Sequence, residues 1–419
     1  MKNWILAGAR IVLAGVIMLG MVSSASAKGH GDGAYQTGFV RWRAADGGFG
    51  GWTRTGVRLN TNGTLELDAA TAQTGTDPYP AGSYNGGNYY NGGSFKVGEA
   101  TSPEMPASFS FTEAIASWNA STPEGTWVEI QFRANYGSHW SKWYNLGIWA
   151  ADTGTVQRHS VRLQGDSDGY VAVDTFVSSN KKEAINALQL KIRLFQAAGS
   201  SAIPNVRNAS LAYSMSAPKS ASVSAGNPAL WNKLLNVPEC SQMVYPGGGE
   251  VWCSPTSTSM VLGFWNTDPG TDCAARETPT VEGVYDWIYD GHGNWPFNTA
   301  YAATKSQNGT VPLEGYVARF TSLGQAEEFI DKGVPVIMSI AWNKGDLTGS
   351  SVGSTNGHLL VLVGFDASGN PIVNDPAFGT NEDVQTTYLR SEFEPLWLQA
   401  SGGTVYLIYP QGWAVPPLQ

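Results

Sequence analysis

Cys253 is the residue whose position best suits covalent chemistry. It comes directly before Ser254 and Pro255, and apolar residues at helical spacing follow, which predicts a helix over 254–265. Unpaired N–H groups and the positive end of the dipole at a helix start stabilise a thiolate, and Pro255 suits the first turn because its missing N–H costs nothing there. The pattern favours a nucleophilic thiol. The alternative is a structural cysteine paired with Cys240 or Cys273.

The number of cysteines limits the disulfides that can form. The chain contains three cysteines, so at most one intrachain disulfide forms and one thiol remains. Counting alone leaves any of the three as the odd one. The helix-start position of Cys253, together with the export signal described below, predicts that Cys253 is free and that Cys240 pairs with Cys273.

A thiol nucleophile needs an imidazole to accept its proton, and that imidazole needs a third group to orient it. Of the five histidines, only His292 and His358 lie in the same part of the chain as Cys253. His358 opens an apolar run that is typical of a strand, after the small polar residues 354–357, whereas His292 lies in a predicted loop. We therefore predict His358 as the base. A structural role at the start of the strand is the alternative.

Asp375 is the candidate for orienting His358. It follows a predicted strand, 372–374, that returns after the turn at 366–371, and in an antiparallel hairpin its side chain shares a face with His358. A simple register centred on the turn pairs Asp375 with about Leu362, which is four residues, or roughly 13 Å, from His358. A bulge, a longer loop or strong twist must close that gap.

Gln242 is the candidate for stabilising an oxyanion. It lies eleven residues before Cys253, and an amide beside the start of a helix could donate to a developing oxyanion together with the Cys253 backbone N–H. An ordinary polar loop residue is the alternative. The cysteines and histidines are too scattered for a zinc site of recognised spacing, and no glycine-rich phosphate loop follows a strand. We predict neither a metal nor a cofactor.

The first 27 residues predict export. Lys2 and Arg10 precede an apolar run, 11–22, and Ala25-Ser26-Ala27 is a signal peptidase site. An uncleaved anchor is the alternative, and Arg10 and the Ala-x-Ala site argue against it. Cleavage near Ala27 removes two positive charges and no negative one, which takes the net charge from −9 to −11. We expect a secreted or extracytoplasmic product, with no surface for nucleic acid and no later segment for a membrane.

A stretch of small polar residues, 216–226, has the composition of a linker and divides the mature chain. The predicted organisation is a signal peptide at 1–27, a β-sandwich domain at 28–216, a linker at 217–232 and a papain-like cysteine peptidase domain at 233–419. The second domain is expected to fold and to act alone.

The first domain is predicted to be an all-β sandwich. Apolar and polar residues alternate over 126–133 and 186–195, which gives each strand one buried and one wet face. The shorter runs 65–67 and 109–111 fit the same scheme. The segment 74–94, rich in Gly, Tyr and Asn, predicts a long exposed loop.

The second domain mixes helix with strand. Helical patterns occupy 254–265 and 323–332. Apolar strands are predicted at 334–342 and 358–365, ahead of the short strand 372–374. A helix followed by a run of strands predicts an α+β domain.

Six motifs follow one another over about 237–410: VPECSQ, WCSPTSTSMVLGFW, GNWPFNTAYA, GVPVIMSIAW, GHLLVLVGFD and VNDPA. In this order they resemble the bacterial cysteine peptidases related to the double-glycine-leader (bacteriocin-processing) peptidases, a branch of the papain-like group. The resemblance implies a papain-like fold. It places the nucleophile of the family on Cys253, the base on His358, the acid on Asp375 and the oxyanion glutamine on Gln242.

Two features limit what the resemblance implies. The leader-processing members are fused to transporters and act in the cytoplasm, whereas this sequence carries an export signal and no transporter, so cleavage after paired glycines is not implied. The stretch SWNASTPEGTWVEIQFRA in the first domain is similar to the sandwich that precedes this peptidase in secreted proteins of actinobacterial type. That similarity implies an architecture and no activity.

The residues therefore predict a secreted cysteine peptidase that hydrolyses amide bonds of peptide or protein substrates through an acyl-enzyme. A first alternative is a protein whose sandwich binds a cell-wall or surface glycan or polymer, with a weak or inactive peptidase-like domain. The aromatic residues Trp140, Trp143, Tyr144 and Trp149 motivate it, although such rings also fill cores. A second alternative is a peptidoglycan amide hydrolase or transferase.

Overall fold

The computed structural model describes residues 34–77, 92–180, 182–267 and 272–418. The predicted signal peptide and most of the loop predicted at 74–94 lie outside the described residues. No helix within the described ranges is long and apolar enough to cross a membrane. Residues Tyr35–Gln419 form one compact unit.

The first region of this unit is built from strands. Its described residues contain β1 Thr37–Arg43, β2 Thr53–Thr55, β3 Val57–Leu59, β4 Leu65–Leu67, β5 Gln73–Thr76, β6 Ser94–Thr101, β7 Met105–Phe111, β8 Glu113–Ser121, β9 Thr126–Asn135, β10 Tyr144–Trp149, β11 Gly169–Ala172, β12 Thr175–Ser178, β13 Ile185–Ala197 and β14 Asn205–Ser214. The prediction of an all-β first region is confirmed.

These strands form two sheets. One has the order β11-β12-β8-β14-β4-β3 with β1 paired to β14, and the other has the order β10-β9-β13-β6-β2 with β5 on β6 and β7 on β13. Phe176 of the first sheet packs against Phe132 and Tyr144 of the second, at ring-centroid distances of 4.8 and 5.0 Å. The two sheets therefore face each other across an apolar core. This arrangement explains the alternation predicted for β9 and β13.

The ends of the predicted loop at 74–94 are strand instead. Thr74 to Thr76 belong to β5, Ser94 begins β6, and Thr76 pairs with Ser94. The loop prediction was wrong for these residues. Cross-strand pairing to β6 compensates for the weak strand propensity of their glycine-rich sequence.

The second region mixes helices and strands, as predicted. Its described helices are α1 Cys253–Phe264, α2 Cys273–Val284, α3 Trp295–Ala302, α4 Leu323–Asp331 and α5 Arg390–Ser401. Its strands are β15 Lys233–Leu234, β16 Ser306–Gln307, β17 Val311–Arg319, β18 Val336–Trp342, β19 Thr355–Phe365, β20 Pro371–Asn374, β21 Gln385–Thr387 and β22 Thr404–Pro410. They form one sheet in the order β16-β17-β22-β18-β19-β20-β21, with β15 paired to β19.

Three of these helices were not predicted. Helices α2 and α5 contain Pro279 and Pro395 in their interiors, where proline removes a hydrogen bond and argues against helix. Helix α3 has only eight residues. Capping compensates in two of them, because the side chains of Asp272 and Asn294 accept hydrogen bonds from the first turns of α2 and α3.

The predicted linker is irregular but packs on the second region. The Ser224 N–H donates to Glu394 Oε2 at 2.9 Å, and the Asn227 N–H donates to Glu327 Oε2 at 2.7 Å. Arg390 donates to the Ser224 carbonyl at 3.2 Å. Helices α4 and α5 therefore hold this segment in place.

The two regions share a core. The ring of Phe297 in α3 packs between Trp118 and Trp149 of the first region, with centroids 6.1 and 5.4 Å apart. Asn119 Nδ2 donates to the Gly315 carbonyl at 2.8 Å, and buried apolar side chains form one cluster across both regions. A fragment that began at Asn227 would expose this surface. The contacts therefore argue against the expected independence of the second region.

The four aromatic residues singled out in the first region divide into two pairs. Tyr144 and Trp149 are fully buried. Trp140 and Trp143 are partly exposed, and the Arg133 guanidinium lies over both rings, 4.4 and 4.5 Å from their centroids. Lys191 also lies over the Trp143 ring. The first pair fills the core, and cationic side chains contact the ring faces of the second.

Candidate active site

Cys253 is the first residue of α1 and carries the free thiol among the cysteines. The predicted disulfide between Cys240 and Cys273 is confirmed. Every α1 residue from Ser254 to Gly263 is buried, and the small hydroxyl side chains let the helix approach the sheet closely. Ser257 Oγ donates to the Leu359 carbonyl of β19 at 3.1 Å, which fixes α1 beside the strand that carries His358.

His358 and Asp375 form a buried pair. His358 Nε2 lies 2.7 Å from Asp375 Oδ1, and both side chains are almost fully buried. Cys253 lies near enough to the same imidazole to raise its pKa. Because Asp375 binds Nε2, the thiol is left with Nδ1. The structure thus joins three of the predicted site residues in the order thiol, imidazole and carboxylate.

Electrostatics within the pair favour a charged imidazole. Burial lowers the pKa of His358, but the charge and hydrogen bond of Asp375 and the hydrogen bond of Cys253 outweigh it and raise that pKa to about 10. Burial raises the pKa of Asp375, but the charge and hydrogen bond of His358 outweigh it and hold that pKa below its usual value. An imidazolium paired with a carboxylate is suited to stabilise an adjacent thiolate.

A bulge brings Asp375 to His358. Strand β20 pairs Asn374 with Val361 and Val373 with Leu362, and the register shifts between Leu362 and Gly364. Continued by one residue, this register sets Asp375 opposite Leu360, two residues from His358 instead of four. Of the three possibilities that the sequence left open, a bulge narrows the gap, and the side chains, on one face of the sheet, span the rest.

Three further groups hold the Asp375 carboxylate. Ser351 Oγ and Tyr388 OH both donate to Oδ2 at 2.8 Å, and the Ala377 N–H donates to Oδ1 at 3.0 Å. Sequence reasoning missed Ser351 and Tyr388. Ser351 lies in a run of glycine and serine and Tyr388 follows a three-residue strand, so neither position carries a local signal. Together these donors fix the orientation of the carboxylate.

Gln242 begins a short 3-10 helix, Gln242–Val244, and is buried. Its N–H donates to the carbonyl of Pro376, the residue after Asp375, at 2.8 Å. A Cβ atom on Gly249 would lie 2.1 Å from the Gln242 carbonyl oxygen. Only glycine therefore fits at this position in the turn that leads to Cys253. The structure thus places Gln242 between the acid loop and the turn before the thiol. Its Oε1 is buried with no hydrogen-bond partner among the described residues.

Models of two protein families match the chain. A Peptidase C39 N-terminal domain matches residues 38–214, and a Peptidase_C39 like family matches residues 234–405. The chain thus resembles the C39-like peptidases over both of its regions. Both resemblances inferred from the motifs are thereby confirmed, and each matched range falls on one of the two regions of this C39-like chain.

Other comparisons add little. No curated protein matches the chain. Among solved structures, one is described as "Structural basis for the promiscuous specificity of the carbohydrate-binding modules from the beta-sandwich super family". It aligns over 40% of this chain and 58% of that chain, with 10% identity and a TM-score of 0.17.

The second histidine of this region of the C39-like chain has different surroundings. His292 packs edge-on against Trp252, with centroids 6.0 Å apart, and burial lowers its pKa to about 4. Its Nδ1 has no hydrogen-bond partner among the described residues. A neutral imidazole without a carboxylate partner is not prepared to serve as the base. Of the two candidates, His358 alone has that partner.

A buried glutamate supports α1 from behind. Glu277 of α2 is fully buried, and Thr256 of α1 donates to its Oε1. No described cation forms an ion pair with it. Burial raises the pKa of Glu277 to about 7, although the hydrogen bond of Thr256 opposes the rise. The carboxyl is therefore neutral in acid and becomes a buried charge near neutral pH.

Replacing Glu277 by glutamine is expected to stabilise the protein at pH 8 and not at pH 4.5. The pKa of Glu277 is about 7 in the folded protein and near 4.5 in the unfolded chain, so between these pH values the native state binds a proton that the unfolded chain has lost. The free energy of unfolding therefore falls as the pH rises from 4.5 to 7 and stays lower above pH 7. The gain in the free energy of unfolding at pH 8 is at most roughly 3 kcal/mol. Urea denaturation at both pH values measures it.

The exposed Glu250 provides a matched control, since Glu250→Gln removes the same charge from a solvated position. It should leave the free energy of unfolding unchanged at both pH values. An equal gain from Glu277→Gln at pH 4.5 and pH 8 would show that packing, not the buried charge, is responsible.

Proposed function

We propose that the chain is a secreted, papain-like cysteine peptidase that hydrolyses amide bonds in peptide or protein substrates through an acyl-enzyme. The observation that carries the proposal is the thiol at the start of α1 near an imidazole that a buried carboxylate holds through Nε2. The match of residues 234–405 to a Peptidase_C39 like family supports the same reaction class.

In the proposed reaction, Cys253 Sγ attacks the substrate carbonyl carbon and a tetrahedral oxyanion forms. The Cys253 N–H and the Gln242 side-chain amide donate to that oxyanion. His358 gives its proton to the leaving amine, the C–N bond breaks and a thioester remains. Water then attacks the thioester while His358 accepts a proton from it, and the carboxylic acid leaves as the thiol is restored. Asp375 keeps the ring oriented throughout.

Location outside the cytoplasm is part of the proposal. The predicted signal peptide motivates it, and the Cys240–Cys273 disulfide supports it, because such bonds persist in oxidising compartments. The binding alternative is less well supported. The described rings that motivated it are either buried or stacked against Arg133 and Lys191, which leaves little free aromatic face for a glycan.

Labelling with an epoxide probe built on a peptide tests the proposal. The mature chain should be modified at Cys253, and a peptide library should be cleaved by the same preparation. His358→Ala should slow labelling strongly, because the thiolate loses its imidazolium partner. A folded protein that takes no label at Cys253, or that cleaves no peptide in the library, would refute the assignment.

A further inference from the structure

We propose that the first region completes the catalytic cleft: it holds the segment 286–295 against the start of α1, so that Tyr289 of this segment contacts the substrate. The inference rests on the proposed peptidase function and extends it. It assigns a positioning role to residues of the first region, which matches a Peptidase C39 N-terminal domain, a description that names no activity of that domain. We call residues 286–295 the cleft segment.

The carboxylate of Asp286 joins the first region to the cleft segment. Its Oδ1 accepts hydrogen bonds from the Ser160 N–H at 3.0 Å and the Ser160 hydroxyl at 3.2 Å. The same oxygen accepts from the N–H groups of Ile288 and Tyr289, both at 3.0 Å. Oδ2 accepts from Asn294 Nδ2 at 2.9 Å. One buried side chain therefore sets the turn that carries Tyr289 and ties this turn to Ser160.

Two arginines of the first region strengthen that junction. The buried Arg158 donates to the Glu282 carbonyl at 2.7 Å, and its own carbonyl accepts from the Trp287 N–H at 3.2 Å. Arg162, whose side chain is exposed, donates to the Ile288 carbonyl. The backbone of the cleft segment is therefore held at successive residues by the first region.

The far end of the cleft segment is held by a strained turn. Val173, a β-branched residue, has a φ of +60° between β11 and β12, a conformation that such residues rarely adopt. The next residue, Asp174, is buried and accepts a hydrogen bond from the Trp295 N–H at 2.7 Å, at the start of α3. A helix of the second region is thus capped by a carboxylate of the first. The surrounding contacts must maintain the strain, as occurs at functional sites.

Tyr289 belongs to the segment whose His292 packs against Trp252, and its ring is partly exposed. Burial raises the pKa of Tyr289, and the charges of Asp174, Cys253 and Asp286 raise it further. The ring remains 42% exposed. A Cβ on Gly291 would stand 2.9 Å from this ring, so the missing side chain there lets the ring lie close over the backbone.

His292, from the same segment, packs against Trp252, the residue before Cys253. The cleft segment is therefore fixed from both sides, by the first region and by the turn that leads to the nucleophile. A half-exposed aromatic ring on a segment that packs against the residue before the nucleophile is suited to bind a peptide chain.

The test compares full mature proteins. Tyr289→Ala should lower kcat/KM for a peptide substrate about tenfold or more, mainly through KM. The double variant S160A/R162A should change the same constants in the same direction. The rate at which iodoacetamide alkylates Cys253 should stay unchanged in both, because the thiol–imidazole pair is intact. A general structural defect would change the alkylation rate as well.

Arg58→Ala is the matched control, since Arg58 is an exposed arginine of the first region that pairs with Glu66 and does not touch the cleft segment. It should retain the wild-type constants. The variant S160A/R162K should have a KM between those of S160A/R162A and the wild type. Wild-type constants for both Tyr289→Ala and S160A/R162A would overturn the inference while leaving the peptidase assignment standing. A wild-type protein without turnover would refute the proposed function, and this inference with it.

Discussion

Replacing Cys253 by alanine is expected to abolish peptide hydrolysis, with a loss of at least about 10⁴-fold in kcat. The reason is that no other thiol can take its place. Cys240 and Cys273 are bonded to each other, and Cys253 is the free cysteine, at the start of α1 near His358. Steady-state cleavage of a fluorogenic peptide measures the loss.

Thermal unfolding shows whether this loss is chemical. Cys253 is partly exposed and its side chain is small, so Cys253→Ala should keep the wild-type melting temperature. Cys253→Ser serves as the matched variant, because it keeps the size of the group and removes most of its nucleophilicity. Turnover by the alanine variant at a tenth or more of the wild-type rate would refute the role of Cys253.

Replacing His358 by alanine is expected to cost nearly as much as replacing Cys253. The imidazole both stabilises the thiolate and donates a proton to the leaving amine, and the two residues act as a unit. The double variant Cys253→Ala/His358→Ala should therefore lose no more activity than either single variant. Asp375→Asn should be roughly 10²-fold less damaging than His358→Ala, because orientation is weakened while proton transfer remains with His358.

His139→Ala is the control for the histidine series, since His139 is an exposed histidine of the first region. It should be indistinguishable from wild type in kcat and KM. If His358→Ala stayed active while His292→Ala lost activity, the base would be the other histidine, and the carboxylate pair at His358 would be structural.

The sequence was most informative where a local pattern determines the structure. The helix signal at Cys253 and the apolar run at His358 located α1 and β19 to within a few residues. The odd number of cysteines, combined with the position of Cys253, led to the correct disulfide. For Asp375, the predicted hairpin indicated which face of the sheet its side chain occupies. The rise per strand residue showed that a bulge, a longer loop or strong twist was needed to bring it to His358. The position of that bulge depended on packing that the sequence does not display.

What could not be predicted depends on contacts between distant parts of the chain. Ser351 and Tyr388 reach Asp375 from loops with no periodicity, and helices α2 and α5 form in spite of internal prolines. The composition of the linker suggested two independent domains. Linker composition reports how a segment behaves when it is free, whereas Glu327, Glu394 and Arg390 bind this one. Tertiary hydrogen bonds overrode the local preference.

The disulfide has a practical consequence for handling the protein. Cys240 anchors the segment that leads into Gln242, while the partly exposed thiol of Cys253 is open to oxidation. A reductant strong enough to open the disulfide would release the segment that carries Gln242, the proposed oxyanion donor. Without any reductant, the Cys253 thiol would oxidise. Cys240 is buried, which slows attack on its sulfur by an external thiol. Full activity is therefore expected over a limited range of reductant concentration, with losses of different chemical origin on either side.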